Sequence, residues 1–115
     1  MKLEQQVCSL ELAKKLKELG VKQESLWWWQ KQNHTDTWNI EDMQICAFDE
    51  DWYSAFTVAE LGEMLPKGIR TDKKVHGNEW CVYDYGQAIS DTTYHQAKTE
   101  ANARAKMVIY LKEKN

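Results

Sequence analysis

The sequence predicts an α+β domain: an antiparallel sheet of three to five strands covered by helices, in the order α–β–β–α–β–β–α. Three observations carry this. Residues 55–66, AFTVAELGEMLP, form a short helix fixed at both ends in mid-chain. Two longer helical patterns, one near each terminus, flank it. Between them lie aromatic-rich stretches, SLWWWQK and EWCVYDY, whose composition favours strands.

The mid-chain helix has the clearest local signal. Thr57 followed three residues later by Glu60 is a capping box, in which each side chain satisfies a backbone N–H at the helix start. Phe56 and Leu61 have the spacing of a hydrophobic staple, and Pro66 drives the residue before it out of the helical region. Residues 9–20 read as an amphipathic helix covering one face of a sheet. Ser9 is its N-cap, Glu11 lies in the first turn, and Leu12, Ala13, Leu16 and Leu19 form the apolar stripe. Gly20 suits the left-handed position after the helix, and Val21 can then touch Leu16 in a Schellman arrangement.

Residues 25–31 alternate as a strand with Leu26 and Trp28 on one face, Trp27 and Trp29 on the other. Both faces are apolar, so the strand is either sandwiched between layers or presents one face for binding. Asn33 to Thr37 has turn chemistry, and Trp38 to Ile40 starts an antiparallel partner extending toward residues 44–48. Asp49, Glu50 and Asp51 form an acidic loop leading to Trp52 and Tyr53. After Pro66, Lys67-Gly68 and Asp72-Lys73-Lys74 read as turns. Residues 79–85 read as a strand ended by Gly86, and residues 92–97 as a further strand. Thr99 caps a last helix with Ala101, Ala105, Val108 and Ile109 on one stripe, flanked by Met107 and Leu111.

Composition limits the function classes. A chain of 115 residues forms one domain, burying roughly two thirds of its unfolded surface. No apolar run approaches the roughly 20 residues that span a bilayer, and the polar start leads into no signal-peptide core, so a cytoplasmic protein is expected. A net charge of −3 argues against general nucleic-acid binding, which rests on neutralising phosphates. Cys8, Cys46 and Cys81 are widely spaced and lack any CxxC pair, the pattern of reduced, buried thiols.

Residues 3–25 (LEQQVCSLELAKKLKELGVKQES), 55–66 (AFTVAELGEMLP) and 99–111 (TEANARAKMVIYL) resemble a group of short uncharacterised proteins encoded by bacteriophages and prophages. The three blocks cover under half of the chain and form its helical scaffold. The resemblance implies a phage accessory protein and brings no catalytic residues with it.

No hydrolase elbow, P-loop, dinucleotide glycine pattern or metalloprotease helix is present. Asp49 and Asp51 with one of His34, His76 or His95 would be the ligands of an alternative reading, a small metal-dependent nuclease or hydrolase. A structural role in the phage particle is a third. The surplus feature is six tryptophans. Tryptophan is enriched at binding hot spots, and a strand with tryptophan on both faces is difficult to bury in a small domain. The expected site is therefore Trp27 and Trp29, with Arg70, Lys73 and Lys74 as a basic loop for an anionic ligand. The expected function is non-enzymatic binding, without cofactor, of a host protein or a small nucleotide-like signal, antagonising host defence. The aromatic surface and strand edges also predict a homo-oligomer.

Overall fold

The computed structural model describes residues 2–32, 35–44, 48–74, 79–84 and 94–114. It is an α+β fold, as the sequence predicts, with its strands divided between two three-stranded antiparallel sheets rather than gathered in one. Helices α1 (Leu3–Gln6) and α2 (Leu10–Glu18) come first, followed by β1 (Trp28–Lys31) and β2 (Trp38–Glu41). A single 3₁₀ turn, Asp49–Asp51, precedes β3 (Trp52–Ser54) and α3 (Val58–Met64). Strands β4 (Ile69–Lys73), β5 (Trp80–Asp84) and β6 (Tyr94–Ala97) and helix α4 (Glu100–Glu113) complete the chain.

The caps form as read. Ser9 accepts from the Leu12 N–H, and Thr99 accepts from the Asn102 N–H at 3.2 Å. At α3, the Thr57 hydroxyl accepts from the Glu60 N–H at 3.2 Å, and the Glu60 carboxylate accepts from the Thr57 N–H at 2.9 Å. Phe56 and Leu61 are both fully buried in one cluster, as a staple requires. Gly20 has φ +87°, and the Val21 N–H reaches the Leu16 carbonyl while the Gly20 N–H reaches that of Lys17, the paired bonds of a Schellman motif.

The first sheet has the order β2-β1-β3, so the strand carrying Trp28 and Trp29 is central. Trp29 stands opposite Ile40 on one side and Tyr53 on the other, and that face meets the helices. The reverse face carries Trp28, Gln30, Trp52 and Ser54. Of these, Gln30 and Ser54 are buried because the connecting segments fold across them. Gln23 accepts from the Ser54 N–H at 2.8 Å, and the Gln30 amide donates to the Met43 carbonyl. Tryptophan on both faces is thus accommodated by a sandwiched strand.

The second sheet has the order β4-β5-β6 and packs on α4. Helix α4 is buried on two opposite sides, not along the single stripe expected. Ala101, Ala105 and Val108 join α2 and α3, while Ala103 and Met107 meet Val82 of β5. At 100° per residue these sets project in opposite directions. Alanines let a backbone approach from either side, so α4 separates two cores and each sheet keeps its own. The turn expected at Asp72-Lys73-Lys74 is corrected: β4 continues through Lys73. Lys67-Gly68 does turn, with Gly68 at φ +93°. The expected turn at Asn33 and His34, the pairing through residues 45–47 and the stop at Gly86 lie outside the described residues.

Candidate functional site

Helix α2 lays its lysines against aromatic rings of the first sheet, Trp38 and Tyr53 on the helix-facing side and Trp52 at the outer strand β3. Ala13 and Leu16 bury the apolar stripe, which sets Lys17 half-buried and Lys14 exposed at its border, both within reach of the sheet's rings. Lys14 Nζ sits 5.2 Å from the centre of the Trp38 ring and 5.8 Å from that of Tyr53. Lys17 Nζ sits 3.8 Å over Trp52 and 4.9 Å from Tyr53, and it donates to the Trp52 carbonyl at 3.0 Å. The Trp38 and Tyr53 rings lie 5.7 Å apart, tilted by 40°. Ammonium groups within about 6 Å of a ring face are attracted to its negative quadrupole, by roughly 0.5–1 kcal/mol at exposed sites. Two such cations on three rings make an ordered, half-exposed cluster.

Beside it opens a hollow of about 480 Å³ lined by Lys14, Lys17, Glu18, Glu50 and Tyr53. Its rim carries charges of both signs. A second hollow, about 310 Å³, is lined by residues that include Leu3, Glu4, Trp29 and Trp38. On the reverse face Trp28 and Trp52 meet edge to face at 5.1 Å. The segments outside the strands of this sheet expose Leu26 (67 %), Met43 (63 %) and Phe48 (67 %). These are the large hydrophobic side chains most exposed among the described residues: Leu26 precedes β1, Met43 follows β2, and Phe48 precedes the 3₁₀ turn before β3.

The expected site residues are placed as follows. Trp29 is anchored inward, its indole N–H donating to the Cys8 carbonyl at 2.9 Å. Trp27 precedes β1, is half-buried, and its carbonyl accepts from the Ala55 N–H and the Ser25 hydroxyl. Arg70 and Lys73 lie on β4 in the other sheet, with side chains on alternate faces, and Lys74 follows them. Arg70 and Lys73 thus belong to a strand of the second sheet, not to a loop beside Trp27 and Trp29. Lys73 lies 5.9 Å from the Trp80 ring. What the sequence reading missed is Lys14 and Lys17, which lie outside the apolar stripe of Leu12, Ala13, Leu16 and Leu19. Their one signal is position: both flank Ala13 and Leu16, at the border of the apolar stripe.

Among the described residues, Cys8 and Cys81 are buried and His95 packs against a ring. Burial, the largest influence, pushes the Cys8 thiol up to about 12, so it stays protonated near neutrality. Cys81 is buried with its thiol on the Asp72 carbonyl. His95 of β6 stacks on Tyr110 at 4.9 Å; burial, then the Lys106 charge, lowers its pKa. Among the described residues no group of three His, Cys, Asp or Glu side chains converges to hold a metal. Asp49 and Asp51 lie in the 3₁₀ turn, and His34 and His76 lie outside the described residues. Among the described residues no helix is long and apolar enough to cross a membrane. No family model matches the chain, and no curated protein or solved structure is significantly similar to it.

Proposed function

We propose that this chain acts by non-enzymatic binding, with the lysine-capped aromatic cluster of Lys14, Lys17, Trp38, Trp52 and Tyr53 as the centre of its contact surface. A protein is the partner that fits this surface best. The observation that carries the reading is the mixed rim: Glu18 and Glu50 line the same hollow as the two lysines. Two carboxylates repel a phosphorylated small molecule, whereas aromatic centres with a two-signed polar rim are the usual anatomy of a protein interface. The exposed Leu26, Met43 and Phe48 extend apolar surface around the same sheet. The likeness of the helical blocks to phage and prophage proteins supports a host protein in the bacterial cytoplasm. Occupying a defence factor stoichiometrically requires no catalytic machinery.

The test is affinity capture from bacterial lysate, followed by titration of the captured protein against variants. Trp38→Ala and Trp52→Ala each remove a half-exposed ring and are expected to weaken binding by about 2 kcal/mol, roughly thirtyfold. Lys14→Glu with Lys17→Glu reverses the local charge and is expected to slow association. Full affinity in all three folded variants rules this surface out. A rise in melting temperature with added nucleotides, by mass action, would instead favour the small-signal reading.

A further inference from the structure

We infer that strand β4 is a two-fold self-association edge, on which a second copy of this chain pairs antiparallel through Thr71. The first observation is which way its backbone faces. The Lys74 N–H donates to the Glu79 carbonyl at 2.9 Å, and β4 pairs with β5 in the register Arg70 to Tyr83 and Asp72 to Cys81. Hydrogen-bonded and non-bonded pairs alternate along an antiparallel ladder. Residues 70, 72 and 74 therefore direct their N–H and C=O groups at β5, while Ile69, Thr71 and Lys73 direct theirs away from it. In the order β4-β5-β6, β4 is an outer strand. Among the described residues no backbone group bonds the outward N–H or C=O of Thr71. Such an edge is a template for another strand.

The second observation is the charge pattern Ile-Arg-Thr-Asp-Lys. Pairing that uses the outward groups can place odd residues only opposite odd ones. Three registers are then available near the strand centre. One sets Arg70 opposite Arg70 of the second copy. Another sets Asp72 opposite Asp72 and Arg70 opposite Lys74. The third centres the two-fold axis on Thr71 and sets Arg70 opposite Asp72 twice over. Like charges directly opposite destabilise a sheet and opposite charges stabilise it, so only the third register is favourable. It also makes Arg70 and Asp72 a non-hydrogen-bonded pair, the geometry in which facing side chains come closest.

Both side chains suit this use. Arg70 and Asp72 are exposed on the face of β4 opposite that of Ile69, the residue that packs toward α4. Asp72 Oδ2 accepts from the Tyr83 hydroxyl at 2.6 Å, which fixes the carboxylate and leaves Oδ1 to accept a second donor. Arg70 has five N–H donors, enough to keep its contact within the chain and meet a carboxylate across the axis. Tyr83 thus has a positioning role, holding Asp72 where the partner's arginine arrives. The product is a continuous six-stranded sheet with the α4 helices of both copies on one side.

Sedimentation equilibrium tests this with the full chain at about 100 µM, where a micromolar dissociation constant gives mostly dimer. The wild type is expected at twice the chain mass. Arg70→Asp and Asp72→Arg each set like charges opposite one another and are expected to be monomeric. An equimolar mixture of these two variants restores both opposite-charge pairs and is expected to dimerise. Thr71→Pro removes only an outward N–H, which an edge strand tolerates, and is expected to stay folded by circular dichroism but monomeric. A monomeric wild type overturns the inference. So does a dimer that survives Thr71→Pro, or a variant mixture that stays monomeric while both chains are folded.

Discussion

Replacing Trp29 by phenylalanine distinguishes a tryptophan that holds the fold from one that serves a contact surface. The indole N–H of Trp29 is bonded to the carbonyl of Cys8, a fully buried residue, at 2.9 Å. Phenylalanine keeps a ring but offers no donor. The buried carbonyl then loses its partner, at a cost of about 1–3 kcal/mol. The lost second ring of a half-buried side chain removes about 40 Å² of buried apolar surface, a further ~1 kcal/mol at 25 cal/mol per Å². The sum is about 3 kcal/mol, a fall in Tm on the order of 10 °C for a domain of this size. Trp28 is the control. It meets Trp52 edge to face and makes no hydrogen bond through its indole among the described residues, so Trp28→Phe is expected to cost less than about 1 kcal/mol. Urea unfolding followed by far-ultraviolet circular dichroism gives both values without relying on tryptophan fluorescence. If Trp29→Phe lies within about 0.5 kcal/mol of wild type, the Cys8 bond contributes nothing, and Trp29 returns to the candidate contact residues.

Thr57→Ala removes the acceptor for the Glu60 N–H and is expected to destabilise by about 1 kcal/mol in the same assay, with partner binding unchanged. A neutral result would mean that α3 does not depend on this cap. His95 titrates below its unfolded value of about 6.5, because burial and Lys106 disfavour its charged form. The unfolded chain therefore takes up the proton first, and stability falls as pH drops through about 6.5, levelling off below the folded pKa. His95→Phe is expected to remove this component of the pH profile while keeping a ring against Tyr110; identical profiles for the two proteins would refute it. Cys8, with its thiol at about 12, is expected to resist alkylation at pH 8 in the native chain and to react only on unfolding. Peptide mass spectrometry reads this directly, and native labelling at the rate of a free cysteine would contradict the buried site.

The sequence by itself determined every feature whose physics is local. Ser9, Thr57 and Thr99 cap their helices because a hydroxyl reaches a backbone N–H within the same turn, whatever surrounds it. Gly20 and Val21 close α2 because only a left-handed residue brings two N–H groups back onto its last turn. The pairing of residues 28–31 with 38–41 was legible from composition and the turn between them. Strand β4 was not, because one partly buried residue, Ile69, is its only strong apolar position and Asp72-Lys73-Lys74 looks like a turn.

Tertiary structure decided how the equivalent-looking residues were used. Strand alternation separates Trp28 and Trp29 in the sequence already, but only packing brings the one to Trp52 and the other to the Cys8 carbonyl. The division into two sheets follows from α4, whose alanines accept packing from both sides, and from β3, which fills the second edge of β1. No single window of the chain contains either event. Lys14 and Lys17 are ordinary helix-surface lysines in sequence. They join the candidate site because α2 is laid across rings that arrive from residues 38 and 52–53, and cation–ring attraction acts only at that distance. Contacts between residues far apart in the chain depend on packing, and packing is where local pattern ceases to be informative.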